Sequence, residues 1–417
     1  MNKRIAQNAA ALMTAQIASY VLPLATFPYL VRVLGQNGFG RYSMAIAFAG
    51  YMQFVIEYGF GLTATSRLAR IRNDDVEVSK LFWSVGVCKL LLFAVGFAFL
   101  QGVSFLLTDN SEIRWLNAFA CLSAAGSAFF PTWLFQGFER MRTMSLLSVS
   151  IRVMGAAGIF LLISSIADLV RFMAFSAVLT WIGAGVGHWF VLRKSRIVWV
   201  GAKYLEIIPT LKSGGTVFAS QIGALIISNT CILILGWSRG EAAAGAYSIA
   251  EKLVRAAISL TAPISTSLFP QAARLLQANV EEGLQFLRKY LKLTLPVVGF
   301  GALVLFLFAS SFVRIVSGKE IAEAALCLRI MAFVPLSIVL DNFYGTQLLL
   351  NLGHSKLFLS GTLLGALSGL ALQSVLIPMF GAPGAAAAFA LSEFIVLVIF
   401  VLGARRVGKY LMPRFGI

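Results

Sequence analysis

Long apolar segments separated by short polar stretches follow one another along the chain, from about residue 8 to residue 404. Each is at least roughly 20 residues long, the length that an α-helix needs to cross the hydrocarbon core of a bilayer. The segments lack the alternation of apolar and polar residues that marks barrel strands. The pattern predicts an all-α integral membrane protein with about twelve transmembrane helices. The predicted spans are 8–34, 39–65, 80–107, 114–136, 144–165, 169–192, 213–235, 244–270, 291–313, 325–350, 356–379 and 384–404.

The composition agrees with a membrane protein, and the positions of the basic residues explain the positive net charge. Hydrophobic residues make up 59% of the chain and charged residues 12%, and the formal net charge is +17. In a soluble protein this surplus would suggest nucleic acid, but most of the basic residues lie at the N-terminus and in loops after even-numbered spans. The positive-inside rule then places both termini in the cytoplasm, with the basic loops facing anionic membrane lipids. We therefore predict no nucleic-acid partner.

A turn motif occurs twice. The segments "GRYSMA" at Gly40–Ala45 and "GAYSIA" at Gly245–Ala250 share Gly, Tyr, Ser and Ala at an offset of 205 residues. Leu34–Gly35 pairs with Leu235–Gly236 at an offset of 201, which predicts a four-residue insertion in the second turn. Because each repeat holds an even number of spans, the pattern predicts two six-helix lobes in a parallel repeat, related by an axis along the membrane normal.

The repeat divides the chain into two domains. We predict an N-terminal lobe at 1–195, a linker at 196–212 and a C-terminal lobe at 213–417. The stretch around the linker is basic and amphipathic and contains Trp199 and Tyr204. Such a stretch is typical of a cytoplasmic segment that lies partly on the membrane surface.

Two common enzyme motifs are absent from the sequence, the G-x-x-x-x-G-K-[ST] phosphate loop and the H-E-x-x-H metal motif. Its two histidines, His188 and His354, are far apart. The four cysteines are isolated within spans, so no disulfide framework or zinc spacing is visible. We predict no catalytic residues, no metal site and no cofactor. The cysteines are Cys88, Cys121, Cys231 and Cys327.

Charged residues inside the apolar spans are the candidates for function. Each costs about 2.5–3.5 kcal/mol at the middle of a membrane helix, so each should face protein or water. They do not follow the repeat, since at the 205-residue offset Glu57 corresponds to Ala262 and Lys252 to Ala47. They therefore look like additions to a duplicated scaffold. The set is Glu57, Lys89, Arg152, Glu251, Lys252, Arg255, Arg329, Asp341 and Glu393.

The basic members of this set predict a cationic path between the lobes. Lys252 and Arg255 share a helix face, and Glu251 is placed to pair with Arg255. A pyrophosphate or other anionic head group is the natural ligand of such a path. The alternative is that several charges form salt bridges or reach the lipid headgroups, with Lys89 and Arg329 the best candidates for the second role. The predicted substrate-binding residues are Arg152, Lys252, Arg255, Lys89 and Arg329.

The acidic members predict coupling to an ion. Glu57, Asp341 and Glu393 lie in apolar surroundings, where carboxyl groups can bind H+ or Na+ and release it during a transport cycle. The alternative is a structural role in ion pairs.

Three segments in this order resemble the O-antigen flippases of the Wzx type, which belong to the multidrug, oligosaccharidyl-lipid and polysaccharide exporter superfamily. They are "PLATFPYLVRVLGQNGFGRYSMA", "EYGFGLTATSRLARIRND" and "ILGWSRGEAAAGAYSIAEKLVRA". The resemblance implies two six-helix lobes around a central cationic cavity in the bacterial inner membrane. It also implies alternating access that moves an undecaprenyl-pyrophosphate-linked oligosaccharide to the periplasmic leaflet.

The resemblance further implies roles for individual residues. Arg152, Lys252 and Arg255 would hold the pyrophosphate, while the lipid tail stays in the bilayer. Glu57 in "EYGFG" matches the acidic position of an acidic-aromatic-glycine motif, which implies ion-coupled antiport. The polymerase and chain-length machinery of polysaccharide synthesis would be partners.

Two other functions stay open. A small-molecule or drug antiporter of the same superfamily should have an acidic cavity, whereas the buried charges here are more often basic. A membrane glycan polymerase or ligase should have a large outward loop, and none is visible.

Overall fold

The computed structural model describes residues 3–193, 195, 197–201, 206–225 and 229–411. These residues form helices and no strand, and they contain eight helical segments long and apolar enough to cross a membrane. The prediction of an all-α membrane protein is confirmed. Two of the segments, Val21–Ile71 and Ser355–Val407, have 51 and 53 residues, about twice the length that one crossing needs. The count of twelve spans stays a prediction.

The helices, in chain order, are α1 Lys3–Glu57, α2 Phe60–Ile71, α3 Asp75–Leu107, α4 Ser111–Phe129, α5 Thr132–Gly137, α6 Met141–Leu162, α7 Leu169–Leu192, α8 Ile207–Leu225, α9 Cys231–Arg239, α10 Glu241–Ser259, α11 Ala262–Ala278, α12 Val280–Leu307, α13 Ala309–Ser317, α14 Ala322–Met331, α15 Val334–Asp341 and α16 Ser355–Leu411. A 3₁₀ turn, Ile166–Asp168, precedes α7, and a π-helix, Asn342–Leu350, follows α15.

The chain forms two compact units. Unit 1 comprises Met1–Leu34 and Met44–Leu225, and unit 2 comprises Gly35–Ser43 and Ile226–Ile417. The predicted linker and the start of the predicted C-terminal lobe, as far as Leu225, therefore group with unit 1. Residues 194, 196, 202–205 and 226–228, which include Tyr204 and part of the predicted seventh span, lie outside the described residues.

The core of unit 1 forms around α2. Phe60, Ala64 and Leu68 recur every fourth residue, so they share one face of this helix, and all three are buried in a hydrophobic cluster with residues of α3 and α5. The start of α3 is fixed by Asp74, whose carboxylate accepts hydrogen bonds from the amides of Val76 and Glu77 at 3.0 and 3.1 Å, as in an N-cap. An adjoining face of α2 carries Thr63, Ser66, Arg67 and Arg70 and stays at least partly accessible.

The described part of the predicted linker is attached to α3. The Val198 amide donates to Ser79 Oγ at 3.1 Å, and Trp83 Nε1 donates to the Val198 carbonyl at 3.0 Å. Further along, the Glu206 amide donates to Ser84 Oγ at 2.9 Å. These bonds satisfy main-chain groups that lie outside regular structure, and they position the start of α8.

The repeated turns in unit 2 adopt the same backbone conformation at an offset of 205 residues. Gly35 has φ 66° and ψ −174°, and Gly240 has φ 90° and ψ 171°, a region that glycine alone adopts readily. Gly236 instead lies inside α9. The pairing of Gly35 with Gly236 was therefore wrong, and no four-residue insertion is needed.

The two repeated turns also pack against each other within unit 2. A Cβ atom built on Gly40 would overlap the carbonyl oxygen of Glu241, and one built on Gly245 would overlap the carbonyl oxygen of Gln36. Around this contact, Gln36 Nε2 donates to the Ala242 carbonyl and Arg41 Nε to Glu241 Oε1, both at 2.9 Å. The equivalent glycines thus allow two helix ends to approach with their backbones in contact.

Candidate functional site

Unit 2 brings five of the predicted charged residues together, and we call them the charged cluster. α10 contributes Glu251, Lys252 and Arg255, α15 ends at Asp341, and α16 contributes Glu393. Arg255 donates to Glu251 Oε1 through Nε at 2.8 Å and Nη2 at 2.7 Å. Glu393 acts electrostatically on both Arg255 and Asp341. The cluster therefore connects three helices that are distant in sequence.

Lys252 is the cation of the charged cluster that stays available. Its side chain is exposed, and it lies within electrostatic range of Glu251 and Arg255. Among the described residues, no hydrogen bond or ion pair engages its ammonium group. Arg255, by contrast, donates two of its five N–H groups to Glu251. The ammonium of Lys252 and the remaining donors of Arg255 are therefore both accessible to an anion.

Asp341 is a buried carboxyl group without a partner. Its residue is 9% exposed, and neither carboxylate oxygen has a hydrogen-bond partner within the described part of the chain. It is the last residue of α15 before the π-helix Asn342–Leu350, and π-helical turns are rare and frequent at functional sites. Burial of an ionised carboxylate is costly unless it is paired, so Asp341 suits the binding of a proton or a cation.

Unit 1 holds a separate pair of predicted residues. Glu57 is exposed and accepts a hydrogen bond from Gln53 Nε2 at 2.9 Å. Lys89 is 7% exposed, and its ammonium donates to the Ala128 carbonyl in the last turn of α4 at 2.6 Å, with Glu57 within electrostatic range. The expectation that Lys89 reaches the lipid headgroups was wrong, because its ammonium is buried and bonded to the main chain.

The two remaining arginines of the predicted site lie elsewhere. Arg152 is exposed on α6 of unit 1, and no partner contacts it within the described ranges. Arg329, on α14 of unit 2, is exposed and donates to Ser310 Oγ at 3.2 Å. A substrate-binding role for either arginine stays a prediction.

An apolar cavity of about 530 Å³ lies on the other side of α10. Ala257 of α10 lines it, and at about 100° per residue Ala257 faces away from Lys252 and Arg255. Residues of α12, α13 and α15 complete its walls. The cavity contains no charged side chain, so it is distinct from the charged cluster.

Sequence reasoning missed a second polar region, on the accessible face of α2. Thr63, Ser66, Arg67 and Arg70 line a cavity of about 500 Å³ in unit 1. Their spacing of three, four and seven residues is the signal that could have revealed it, because it places all four on one helix face.

The described residues contain no group of three or more His, Cys, Asp or Glu that could hold a metal ion. The four cysteines are buried free thiols, as expected of packing residues.

Comparison with known proteins identifies the family. Residues 5–276, well over half of the chain, match the family described as Polysaccharide biosynthesis protein. The chain belongs to this family. A protein of Escherichia coli (strain K12) that is named as an O-antigen transporter is 29% identical over 401 residues, which cover 96% of each chain. This relative is named as a transporter and not as an enzyme, and the match covers almost the whole of both chains.

Solved structures show the same fold for this family member. An inward-facing multidrug resistance MATE family transporter of the MOP superfamily aligns with a TM-score of 0.62 and 15% identity, over 98% of this chain and 100% of that chain. The lipid II flippase MurJ in an inward closed conformation aligns with a TM-score of 0.63 and 12% identity, over 95% of this chain and 87% of that chain. The chain is therefore a multi-pass membrane protein with the fold of MOP superfamily transporters, as the resemblance implied.

Proposed function

We propose that this protein moves an undecaprenyl-pyrophosphate-linked oligosaccharide, the repeat unit of an O-antigen or a related surface polysaccharide, from the cytoplasmic to the periplasmic leaflet of the bacterial inner membrane. The family, the relative named as an O-antigen transporter and the transporter fold support transport of a lipid-linked polysaccharide unit. The mechanism is alternating access, and the distribution of basic residues supports cytoplasmic termini. Polymerase and chain-length proteins would receive the product.

The observation that carries the substrate proposal is the ammonium of Lys252, which no described residue engages, beside the Arg255–Glu251 pair. A pyrophosphate presents several charged oxygens, and ammonium and guanidinium groups form strong charge-assisted hydrogen bonds with them. Glu251 fixes the Arg255 guanidinium and leaves other N–H groups free to donate. Arg152, an exposed cation of unit 1, stays a candidate substrate-binding residue. Lys89 and Arg329 are weaker candidates for that role, because both already donate to other groups.

We propose that ion coupling runs through Asp341 and Glu393. Asp341 is buried, and its carboxylate has no hydrogen-bond partner among the described residues, so an H+ or Na+ that binds it removes the cost of an isolated charge. Glu393 links Asp341 to Arg255 through electrostatics, and the field at Lys252 and Arg255 therefore depends on whether the ion is bound. Glu57 matches the acidic motif position but is exposed and bonded to Gln53, so its role is secondary.

The test uses a strain that lacks the gene and is complemented by variants. Lys252→Ala should leave lipid-linked repeat units in the inner leaflet and reduce surface polysaccharide, with normal amounts of protein in the membrane. Lys289→Ala is the matched control, because Lys289 is an exposed lysine of α12 in the same unit and outside the charged cluster. Full complementation by Lys252→Ala would reject the site.

A drug antiporter is the second candidate, because the charged cluster contains three carboxyl groups and two cations. The expectation of an excess of basic groups therefore does not hold for this cluster. If the protein exports cationic drugs, its deletion should increase drug sensitivity and leave surface polysaccharide intact. The flippase proposal predicts the reverse.

A further inference from the structure

The cavity of about 500 Å³ in unit 1 lies between α2 and α8, and we call it the α2–α8 pocket. α2 provides Thr63, Ser66, Arg67 and Arg70, and α8 provides Ser213. None of these residues belongs to the charged cluster of unit 2. The hydroxyl groups of Thr63 and Ser213 already donate to main-chain carbonyls, at 3.2 and 2.9 Å. The donors that the pocket offers to a phosphate oxygen are therefore the two guanidinium groups and the hydroxyl of Ser66.

The walls of the α2–α8 pocket are held by close backbone packing. A Cβ atom on Gly59 would lie 2.6 Å from the Cβ of Val217, and one on Gly214 would lie 2.7 Å from the Tyr58 carbonyl oxygen. Both distances are below those of ordinary contacts, so glycine at both positions lets the two helices approach. α8 begins at Ile207, so the pocket flanks the N-terminal part of this helix, where the helix dipole favours negative charge. The pocket is therefore a fixed feature of unit 1.

The two arginines of the pocket differ in their partners. Arg67 Nη2 lies 2.7 Å from Glu206 Oε2 and 3.8 Å from Glu77 Oε2. Arg70 is exposed, and no hydrogen bond or ion pair engages it in the described part of unit 1. Arg70 is free to bind an anion at once, whereas an anion that reaches Arg67 must compete with Glu206.

The apolar lining indicates the kind of anion. Leu62, Ile71 and Pro209 line the same cavity as the arginines. The distribution of basic loops predicts that this end of α2 faces the cytoplasm, so the pocket is expected at the level of the inner-leaflet headgroups. A site that combines guanidinium groups with apolar walls at this level suits a phosphate with an attached lipid chain.

We propose that the α2–α8 pocket binds the phosphate of a lipid headgroup, with Arg70 as the first contact and Arg67 as the second. The phosphate comes either from an anionic membrane phospholipid or from a polyprenyl diphosphate. Only the second source rests on the proposed function. Because the Glu206 amide is bonded to Ser84 and its carboxylate to Arg67, a phosphate at Arg67 competes with one of the two bonds that fix the start of α8.

The experiment measures lipid binding by native mass spectrometry of the full-length protein, with Lys252→Ala as the background, which weakens binding at the charged cluster. Phosphatidylglycerol and farnesyl diphosphate are titrated separately, and inorganic phosphate serves as the free-ion probe. At least one of the two lipids should bind. Arg70→Ala should weaken that binding about tenfold, because it removes one charge-assisted interaction.

Two further variants distinguish the pocket from general electrostatic attraction. Glu206→Gln should strengthen binding several-fold, because it removes the carboxylate that competes for Arg67, whereas a purely structural Glu206 would not give a gain. Arg72→Ala removes the same charge from a residue that is paired with Glu139 and does not line the cavity, so binding should not change.

Three results would overturn the proposal: neither lipid binds, Arg70→Ala and Arg72→Ala have equal effects, or inorganic phosphate binds as tightly as both lipids. Preference for farnesyl diphosphate would assign the pocket to the transport substrate, and preference for phosphatidylglycerol would assign it to a membrane phospholipid. Either preference supports the headgroup site. A failure of lipid-linked oligosaccharide transport would reject the proposed function and leave these binding results unchanged.

Discussion

Substitution of Gly245 by alanine tests the contact between the repeated turns. The added Cβ would lie 2.9 Å from the Gln36 carbonyl carbon and overlap its oxygen. Carbon atoms in contact prefer a separation of about 3.5–4.0 Å, so the two segments must move apart by roughly 1 Å. That movement would also stretch the hydrogen bond from Gln36 to Ala242, which now measures 2.9 Å.

The cost follows from overpacking between rigid backbones. Insertion of a methyl group into a closely packed contact costs about 1–3 kcal/mol, and a weakened hydrogen bond adds about 1 kcal/mol. Gly40→Ala should have a similar effect, because its Cβ would lie 2.8 Å from the Glu241 carbonyl carbon. The double variant should cost less than the sum of the two, since separation of the segments by one methyl group makes room for the other.

The assay is thermal unfolding of the purified protein in detergent, followed by the loss of the monodisperse peak on size-exclusion chromatography. Gly299→Ala is the matched control, because Gly299 is within α12 and no atom lies within 4 Å of a Cβ built there. Alanine is a better helix former than glycine by about 1 kcal/mol, so the control should be neutral or stabilising. Equal melting temperatures for Gly245→Ala and Gly299→Ala would refute the proposed contact.

Three further predictions follow from individual residues. Lys89→Met should destabilise the protein by about 1–3 kcal/mol, because it leaves the Ala128 carbonyl unsatisfied. Transport per folded molecule in proteoliposomes should not change, and a loss of transport at normal stability would contradict this. Arg41→Ala should cost less than Gly245→Ala in the same melting assay, because it removes a side-chain ion pair with Glu241 and does not force the two backbones apart; an equal loss would contradict this. Asp341→Asn should abolish the dependence of transport on a proton or sodium gradient, and an unchanged gradient dependence would remove Asp341 from coupling.

Much of the fold was predictable because each helix that crosses the bilayer needs about 20 apolar residues and must pair its main-chain N–H and C=O groups within the helix. The turn repeat was also visible, yet one of its pairings was wrong. Leu34–Gly35 matches Leu235–Gly236 by letters, but the 205-residue offset of the rest of the motif pairs Gly35 with Gly240, and the backbone conformation agrees with that second pairing. A glycine inside a helix and a glycine with positive φ are identical in sequence.

The candidate site was predictable as a set of residues and not as an arrangement. Glu251 and Arg255 could be paired from their spacing, since residues four apart share a helix face. The proximity of Asp341 and Glu393 to them depends on how α10, α15 and α16 pack, which local sequence does not determine. For Lys89 the sequence predicted a role that the structure does not show. Its ammonium donates to the main-chain carbonyl of Ala128, and no sequence pattern predicts such a contact.

The most direct test of the proposed function measures transfer across a membrane by the purified protein. Proteoliposomes contain an undecaprenyl-pyrophosphate-linked oligosaccharide, and transfer between leaflets is followed by accessibility of the sugar to an external enzyme or lectin. We expect transfer with the wild-type protein and with Lys289→Ala, and little or none with Lys252→Ala. Equal transfer by Lys252→Ala and Lys289→Ala would contradict the role of the charged cluster, and no transfer by the wild-type protein under any ion gradient would contradict the proposed function itself.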